Sequence, residues 1–503
     1  MSKKSVSAIR TAVKICAFTV SLCLMIIVID HICMAKYMYN GREPMTEAYA
    51  NFYNMERDSV DVLILGTSHA ATGFNPQDLY DAQKLRSYNL ASTAQPVWIS
   101  YYWLKEALHY QKPSVVVFDC NYIFEEMNNE GVNRKALDYM RWGGTKYEAV
   151  STAVSKDTRT QEDLISYVLP FFRYHSRWKE LNEWDMTWAK DIMAPAQLKG
   201  FWLYHRVSLS DEYRPDIETP TDSQSVPFSE EGGTYLEKIY SLCREKGIRL
   251  ILVKTPTHVF TKERHDSAAE WAAANSVPFI DFNDNAVLQE MGFDYGGGDM
   301  DDIKDQMAHP NPSGARKLSV CLADYIVKNQ YASGKQDEQW ENSRRFNEDM
   351  YKDFELATST NLTEYLKKLH DDRYTVVISA KDKAGAHMSS QADQALQELG
   401  LKSLSQEDKS LSYLAVIDCG KVVANEQSGD DAVSYSGSIR NGIIRLKASS
   451  SGYSGQKGSI SFDGKESSKN LSGLNIVVYS NERRCVVDSV NFDTSDPEVP
   501  CVR

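Results

Sequence analysis

Val60-Asp61-Val62-Leu63-Ile64-Leu65-Gly66-Thr67-Ser68-His69 is the stretch whose reading decides the fold. Its first six residues, dense in Val, Leu and Ile, predict a buried strand, and Gly66-Thr67-Ser68-His69 breaks that pattern ahead of a helix-compatible run. Ser68 therefore stands at the carboxyl end of a strand, the edge at which open α/β sheets bind ligands. Gly66 lets backbone come close to a reacting oxygen. The plainer reading of Ser68 is a helix cap.

Working outward, residues 60 to about 333 alternate strand-like and helix-like stretches. Strands are expected at 60–65, 114–119, 249–254 and 278–282, with helical patterns such as 97–110 and 233–246 between them. That alternation predicts an α/β unit whose parallel sheet is sandwiched by helices. Residues 126–229 are richer in aromatics and less regular, and read as a mostly helical insertion.

A chain of 503 residues is too long for one core, so two or three domains are expected. The formal net charge of -13, with no Lys/Arg cluster beyond the amino terminus, argues against nucleic acid as a partner. At that terminus Lys3, Lys4, Arg10 and Lys14 precede an apolar run over 15–29, and flanking residues extend it to about 20, enough to span a bilayer. Residues 1–36 thus read as a basic flank and a transmembrane anchor, with a cleaved signal peptide as the rival. The basic flank should stay cytoplasmic, leaving the bulk of a single-pass chain extracytoplasmic at the cell membrane. Of nine cysteines, Cys16, Cys23 and Cys33 lie in the apolar run, and the other six form no CxxC pair, so no metal site is expected. A disulfide joining Cys485 and Cys501 is one pairing an oxidising compartment would allow.

Asp305-Gln306-Met307-Ala308-His309-Pro310-Asn311-Pro312 precedes a helical run over 316–328. A histidine on a loop entering a helix can take the proton from a serine hydroxyl while a carboxylate orients the imidazole. Serine needs such a base, because its hydroxyl is a poor nucleophile at neutral pH. The Gly-rich phosphate loops of nucleotide-binding domains are absent after the first strand, and the ten His are dispersed. No cofactor is implied.

Taken together these motifs resemble the SGNH/GDSL hydrolases, in particular the membrane-anchored branch that includes DltD-like and AlgX-like acyl-transfer proteins of bacterial envelopes. The resemblance covers roughly 58–333. Gly66-Thr67-Ser68 matches the first block and implies Ser68 as nucleophile; Asn89-Leu90-Ala91 stands for the second, with Ala91 in place of Gly; Asp119-Cys120-Asn121 keeps only the Asn of the third. The oxyanion donors it implies are Ser68, Ala91 and Asn121. Its last block, Asp-x-x-His, is stretched by one residue, so either Asp305 or Asp302 is left to orient His309. Arg177, Lys254 and His69 are candidate substrate-binding residues.

Beyond the α/β unit, 334–360 is strongly charged and reads as a linker running into a helix. Residues 361–503 form a second unit of mostly short strands, expected at 374–380, 413–418, 438–447, 458–462, 474–479 and 485–492, with helices at 362–370 and 391–399. Gly473-Leu474-Asn475-Ile476-Val477-Val478-Tyr479 and Val487-Asp488-Ser489-Val490-Asn491-Phe492, with Ile378-Ser379-Ala380-Lys381-Asp382 upstream, resemble the ILEI (PANDER-type) domain, with the Gly-Leu-Asn strand placed last as in a circular permutation. That resemblance implies a β-rich α+β fold and a glycan-binding accessory module. The function expected from the whole is an anchored serine esterase or O-acyltransferase. Its partners would be a cell-surface glycan or acylated polymer, such as a polysaccharide or teichoic-acid-like chain, and a membrane protein that exports the acyl group. The alternative is a non-catalytic glycan-binding or assembly protein on a degenerate scaffold of the same fold.

Overall fold

The computed structural model describes residues 3–35, 38–39, 43–44, 47–127, 129–156, 164–181, 185–186, 197–203, 207, 217–218, 225–257, 260–296, 298–301, 308–404, 411–429, 431–440, 442, 444–451 and 457–503. The chain divides into two compact units, with the division at 344/345.

The first unit carries the apolar helix Lys3–Cys33, of which Ile9–Cys33 is long and apolar enough to cross a membrane. Its α/β part is built on five parallel strands: β1 (Val62–Leu65), β2 (Ser87–Asn89), β3 (Val115–Asp119), β4 (Arg249–Lys254) and β5 (Phe279–Asp281). They lie in the order β2-β1-β3-β4-β5. β1 pairs with β2 on one side, Ile64 opposite Asn89, and with β3 on the other, Leu65 opposite Phe118. Both faces of β1 and β3 are buried, which is why these strands read as continuous apolar runs rather than alternating ones. The order of strands reverses between β1 and β3, and the carboxyl ends of those two strands open on the crevice where such sheets place ligands. The three-residue strand β2 was not expected from the sequence; Ser-Tyr-Asn carries no apolar run. In the insertion, every regular element among the described residues is helical.

The stretch expected to be a linker is structured at its start. Gly334 packs so closely on the carbonyl of Gln83 that a Cβ there would lie 1.9 Å from it, and Lys335 N–H donates to Lys84 O at 2.9 Å. Trp340, fully buried, stacks on Tyr80 with ring centroids 5.2 Å apart. Lys199 sits 4.2 Å from the Trp340 ring centroid, and burial lowers its ammonium to about 7. Trp340, standing among charges at the start of the helix Glu338–Ala357, is what pins that start.

The second unit, essentially residues 345–503, has two antiparallel sheets. The larger has six strands, running in space Lys421–Ser428, Ser412–Asp418, Tyr374–Lys381, Gly473–Ser480, Cys485–Phe492 and Cys501–Val502. On one face Val376, Ile378, Leu474 and Ile476 pack with Leu366 and Leu396 of the helices Leu362–Lys368 and Ser390–Glu398. On the other face Val377, Leu414, Val416 and Val477 meet Ile444, Leu446 and Ile460 of the four-stranded sheet. The single strand expected at 438–447 is instead a hairpin of Val433–Ile439 and Ile444–Ser450, because positive φ at Arg440 (52°) and Gly442 (91°) reverses the chain. The pairing of Cys485 with Cys501 does not occur. Cys501 lies opposite Phe492, at the far end of the strand that Cys485 begins. Seven residues of strand, about 24 Å, separate the two, far beyond the ~6.8 Å reach of a disulfide between Cα atoms.

Candidate active site

Gly66 leaves β1 with φ at 145°, a conformation that L side chains rarely adopt. A Cβ at this position would lie 2.7 Å from Asp119 Cβ, so the turn is also sterically reserved for glycine. The chain passes Thr67 and enters the short helix Ser68–Gly73 with Ser68 as its first residue. Asn89, at the end of β2, clamps that helix from below: its Nδ2 donates to Ala70 O at 2.9 Å and to Phe74 O at 3.0 Å. Asn89, which the sequence shows only as one residue of a motif, positions the turn that carries Ser68.

The histidine arrives from the other end of the chain. Asn311 caps the helix Pro312–Lys328, accepting the N–H of Ser313 at 3.0 Å and of Gly314 at 3.2 Å, and its Nδ2 donates to the carbonyls of Gly298 and Met300 at 2.6 and 3.0 Å. Asp301 N–H donates to His309 O at 2.7 Å. These bonds fix the backbone around His309, and its Nε2 lies 2.7 Å from Ser68 Oγ across 241 residues of sequence. Both side chains are buried, Ser68 being 4% exposed. Asp305 and Asp302 lie outside the described residues.

His69 is fully buried and stacks on His309, ring centroids 4.2 Å apart and planes 21° from parallel. Its Nδ1 lies 3.3 Å from Asn121 Nδ2. The Asn121 amide nitrogen can only donate, so Nδ1 is the acceptor of this contact. Asn121 thereby uses one of its two amide N–H groups on His69 and keeps the second. His69 is a wall behind His309 rather than a residue at the mouth of the site.

Three other candidates occupy places different from those expected. The Ala91 N–H donates to Asn89 Oδ1 at 3.1 Å, so it is engaged within its own turn and does not stand as an oxyanion donor. Lys254 is fully buried beneath the crevice; its Nζ donates to Thr255 O at 2.9 Å and lies 3.9 Å from Asp119 Oδ1, where it balances a carboxylate instead of meeting a substrate. Arg177 is bound to Asp185 and to the carbonyls of Cys33 and Met34 at the end of the apolar helix. In each case a polar group that looked available is consumed by a partner within the fold, which burial obliges.

Asp119 is the group the sequence undervalued. Burial pushes its carboxyl above the ordinary aspartate range, opposed by the Lys254 ammonium and by hydrogen bonds from the Thr255 hydroxyl and the Asn121 and Thr255 N–H groups. It thus holds the residues that follow β3 and β4 together directly under Gly66.

Comparison with known families adds one match. Residues 335–421 match the family described as Interleukin-like EMT inducer, ILEI. The chain therefore carries a carboxy-terminal ILEI domain behind an α/β unit and an apolar amino-terminal helix. The match begins upstream of the expected boundary at 361, within the stretch read as a linker, and covers none of residues 60–333. No curated protein matches the sequence.

Proposed function

We propose that the chain is a membrane-anchored serine esterase or O-acyltransferase acting on an envelope polymer outside the cytoplasm. The observation that carries this reading is the 2.7 Å approach of His309 Nε2 to Ser68 Oγ at the carboxyl edge of the parallel sheet. Ser68 Oγ attacks an acyl carbonyl as His309 takes its proton; the tetrahedral oxyanion is met by the Ser68 N–H and the second N–H of Asn121. His309 then returns the proton to the leaving group, and water or a glycan hydroxyl releases the acyl chain. Asp305 is the acid assigned to orient His309. The scaffold reading as an SGNH-type hydrolase rests on the motifs at Ser68 and His309 and on the β2-β1-β3-β4-β5 sheet that positions them.

Lys3, Lys4, Arg10 and Lys14 support a cytoplasmic amino terminus, and tethering raises the effective concentration of a polymer substrate over a soluble one. Within this reading the ILEI domain is a glycan-binding module, and a membrane protein delivers the acyl group. The burial of Ser68 favours the second reading, a non-catalytic assembly protein. The full chain in detergent, treated with a fluorophosphonate probe, separates the two. The enzyme labels, and Ser68→Ala and His309→Ala do not; a folded wild type that stays unlabelled removes the catalytic reading.

A further inference from the structure

The apolar helix Lys3–Cys33 is fastened at its end to the helical insertion. Asp30 Oδ1 accepts the N–H of Phe171. Arg177 Nη1 donates to Cys33 O at 2.9 Å and Met34 O at 2.7 Å, two of the carbonyls a helix end leaves open. Its Nη2 donates to both oxygens of buried Asp185 at 3.1 and 3.2 Å, and Tyr139 Oη donates to Ala35 O at 2.7 Å. Asp30 precedes Cys33 by less than one turn, about 4.5 Å along the axis, so the segment around Phe171 sits at the height of the anchor's last turn.

That same segment exposes its large apolar side chains. Ile165 is 60% exposed, Phe172 58% and Trp178 65%, and Val168 and Met186 are exposed as well. Ile165 and Val168, three residues apart, share one face of the short helix Leu164–Val168, and Phe172 follows on the next helix, Phe171–Tyr174. A cluster of this kind marks an interaction surface rather than scattered exposure. Lys179 Nζ lies 5.5 Å from the Trp178 ring centroid, setting a cation beside an aromatic ring as at a headgroup boundary.

We propose that residues 164–179, with Met186, form a platform that enters the headgroup–acyl boundary of the bilayer leaflet from which the anchor emerges. Lipid is the occupant because the surface is continuous with the membrane-spanning helix and is held at its end. The backbone N–H of Phe171 and the guanidinium of Arg177 are satisfied by the anchor itself, which removes the main polar cost of that depth. A single helix leaves the attached domain free to swivel; this second contact sets its tilt, and with it the height of Ser68 and His309 above the lipid. The inference rests on the anchor spanning a bilayer and is independent of any chemistry at Ser68.

All nine Trp lie before residue 345 and none lies in the anchor, so Trp fluorescence senses lipid only through the extramembrane part of the first unit. The full chain is reconstituted into vesicles of plain or brominated phosphatidylcholine. Bromine is expected to quench the wild type, Trp178→Phe to lose most of that quenching, and Trp178→Phe with Phe172→Trp to regain it. An unquenched wild type, as a protein-binding surface would give in protein-free vesicles, overturns the proposal. So does quenching undiminished in Trp178→Phe, or not regained in the double variant.

Discussion

Gly66→Ala joins the stability of the first unit to the geometry of its site. At φ 145° an alanine is strained, a cost of ~1–3 kcal/mol for a backbone held in a sparsely populated region. The added Cβ meets Asp119 Cβ at 2.7 Å, Ala70 Cβ at 3.2 Å and Asp119 N at 3.3 Å. None of these is the far end of a flexible side chain, so β1 and β3 must part, with an overpacking cost of another ~1–3 kcal/mol. The sum, about 2–6 kcal/mol, falls on the turn that aims Ser68 at His309. Urea unfolding followed by Trp fluorescence reads the first unit alone, since the second contains no Trp. Gly66→Ala should lower the midpoint clearly and weaken fluorophosphonate labelling even where the unit remains folded. Gly73→Ala is the control: its Cβ would meet Thr255 Cγ2 at 3.1 Å and otherwise ordinary contacts, without positive φ. If Gly66→Ala unfolds at the wild-type midpoint, or no earlier than Gly73→Ala, the reasoning from backbone and contact is wrong.

Trp340→Ala removes a fully buried ring stacked on Tyr80 and should destabilise the first unit by ~3–5 kcal/mol, read by urea unfolding; a shift typical of an exposed linker residue would contradict the packing described. In the second unit buried Asp353 accepts from Arg373 Nη1 at 3.2 Å, Arg483 Nη1 at 3.0 Å and the Tyr374 hydroxyl. Asp353→Asn removes the carboxylate that both guanidiniums share, while Arg373 keeps its pair with Asp371 at 2.7 Å; the loss, ~1–3 kcal/mol, should appear as faster amide exchange in Tyr374–Lys381, and unchanged protection there counts against it. His265 Nδ1 lies 2.7 Å from Asp281 Oδ2, and that hydrogen bond raises the imidazole above its ordinary value. The folded value exceeds the unfolded one, so this contribution is complete below about pH 6.5 and fades as pH rises through the raised value. Unfolding midpoints of wild type and His265→Gln should converge over that window; parallel pH profiles would refute the assignment.

The long apolar strands of the first unit were legible because burial on both faces writes Val, Ile and Leu without interruption, as in 62–65 and 249–254. Ser68 and His309 were legible because a strand end and a helix entry each leave a local signature, and the structure brings the two side chains into contact. What could not be read was the fate of polar groups whose partners lie far along the chain. Arg177 looked like an anion binder until Asp185 and the end of the apolar helix claimed it. Lys254 read as a substrate-binding residue, while strand pairing buries it beside Asp119. The start of 334–360 read as solvated from its charge, while the single residue Trp340 decided its packing. Likewise the turn at Arg440 was hidden inside an apparently continuous strand.

The six-stranded sheet has a consequence for the order in which the polypeptide is made. Tyr374–Lys381 is flanked on one side by Ser412–Asp418, which follows it soon, and on the other by Gly473–Ser480, which follows some 90 residues later. At ~5–20 residues per second of synthesis, one margin of that strand stays bare for several seconds after this first antiparallel pair has been made. During that interval its free N–H and C=O groups template any other extended chain nearby. A nascent or prematurely terminated copy lacking the last thirty or so residues therefore presents a strand-hungry rim that the finished molecule never shows.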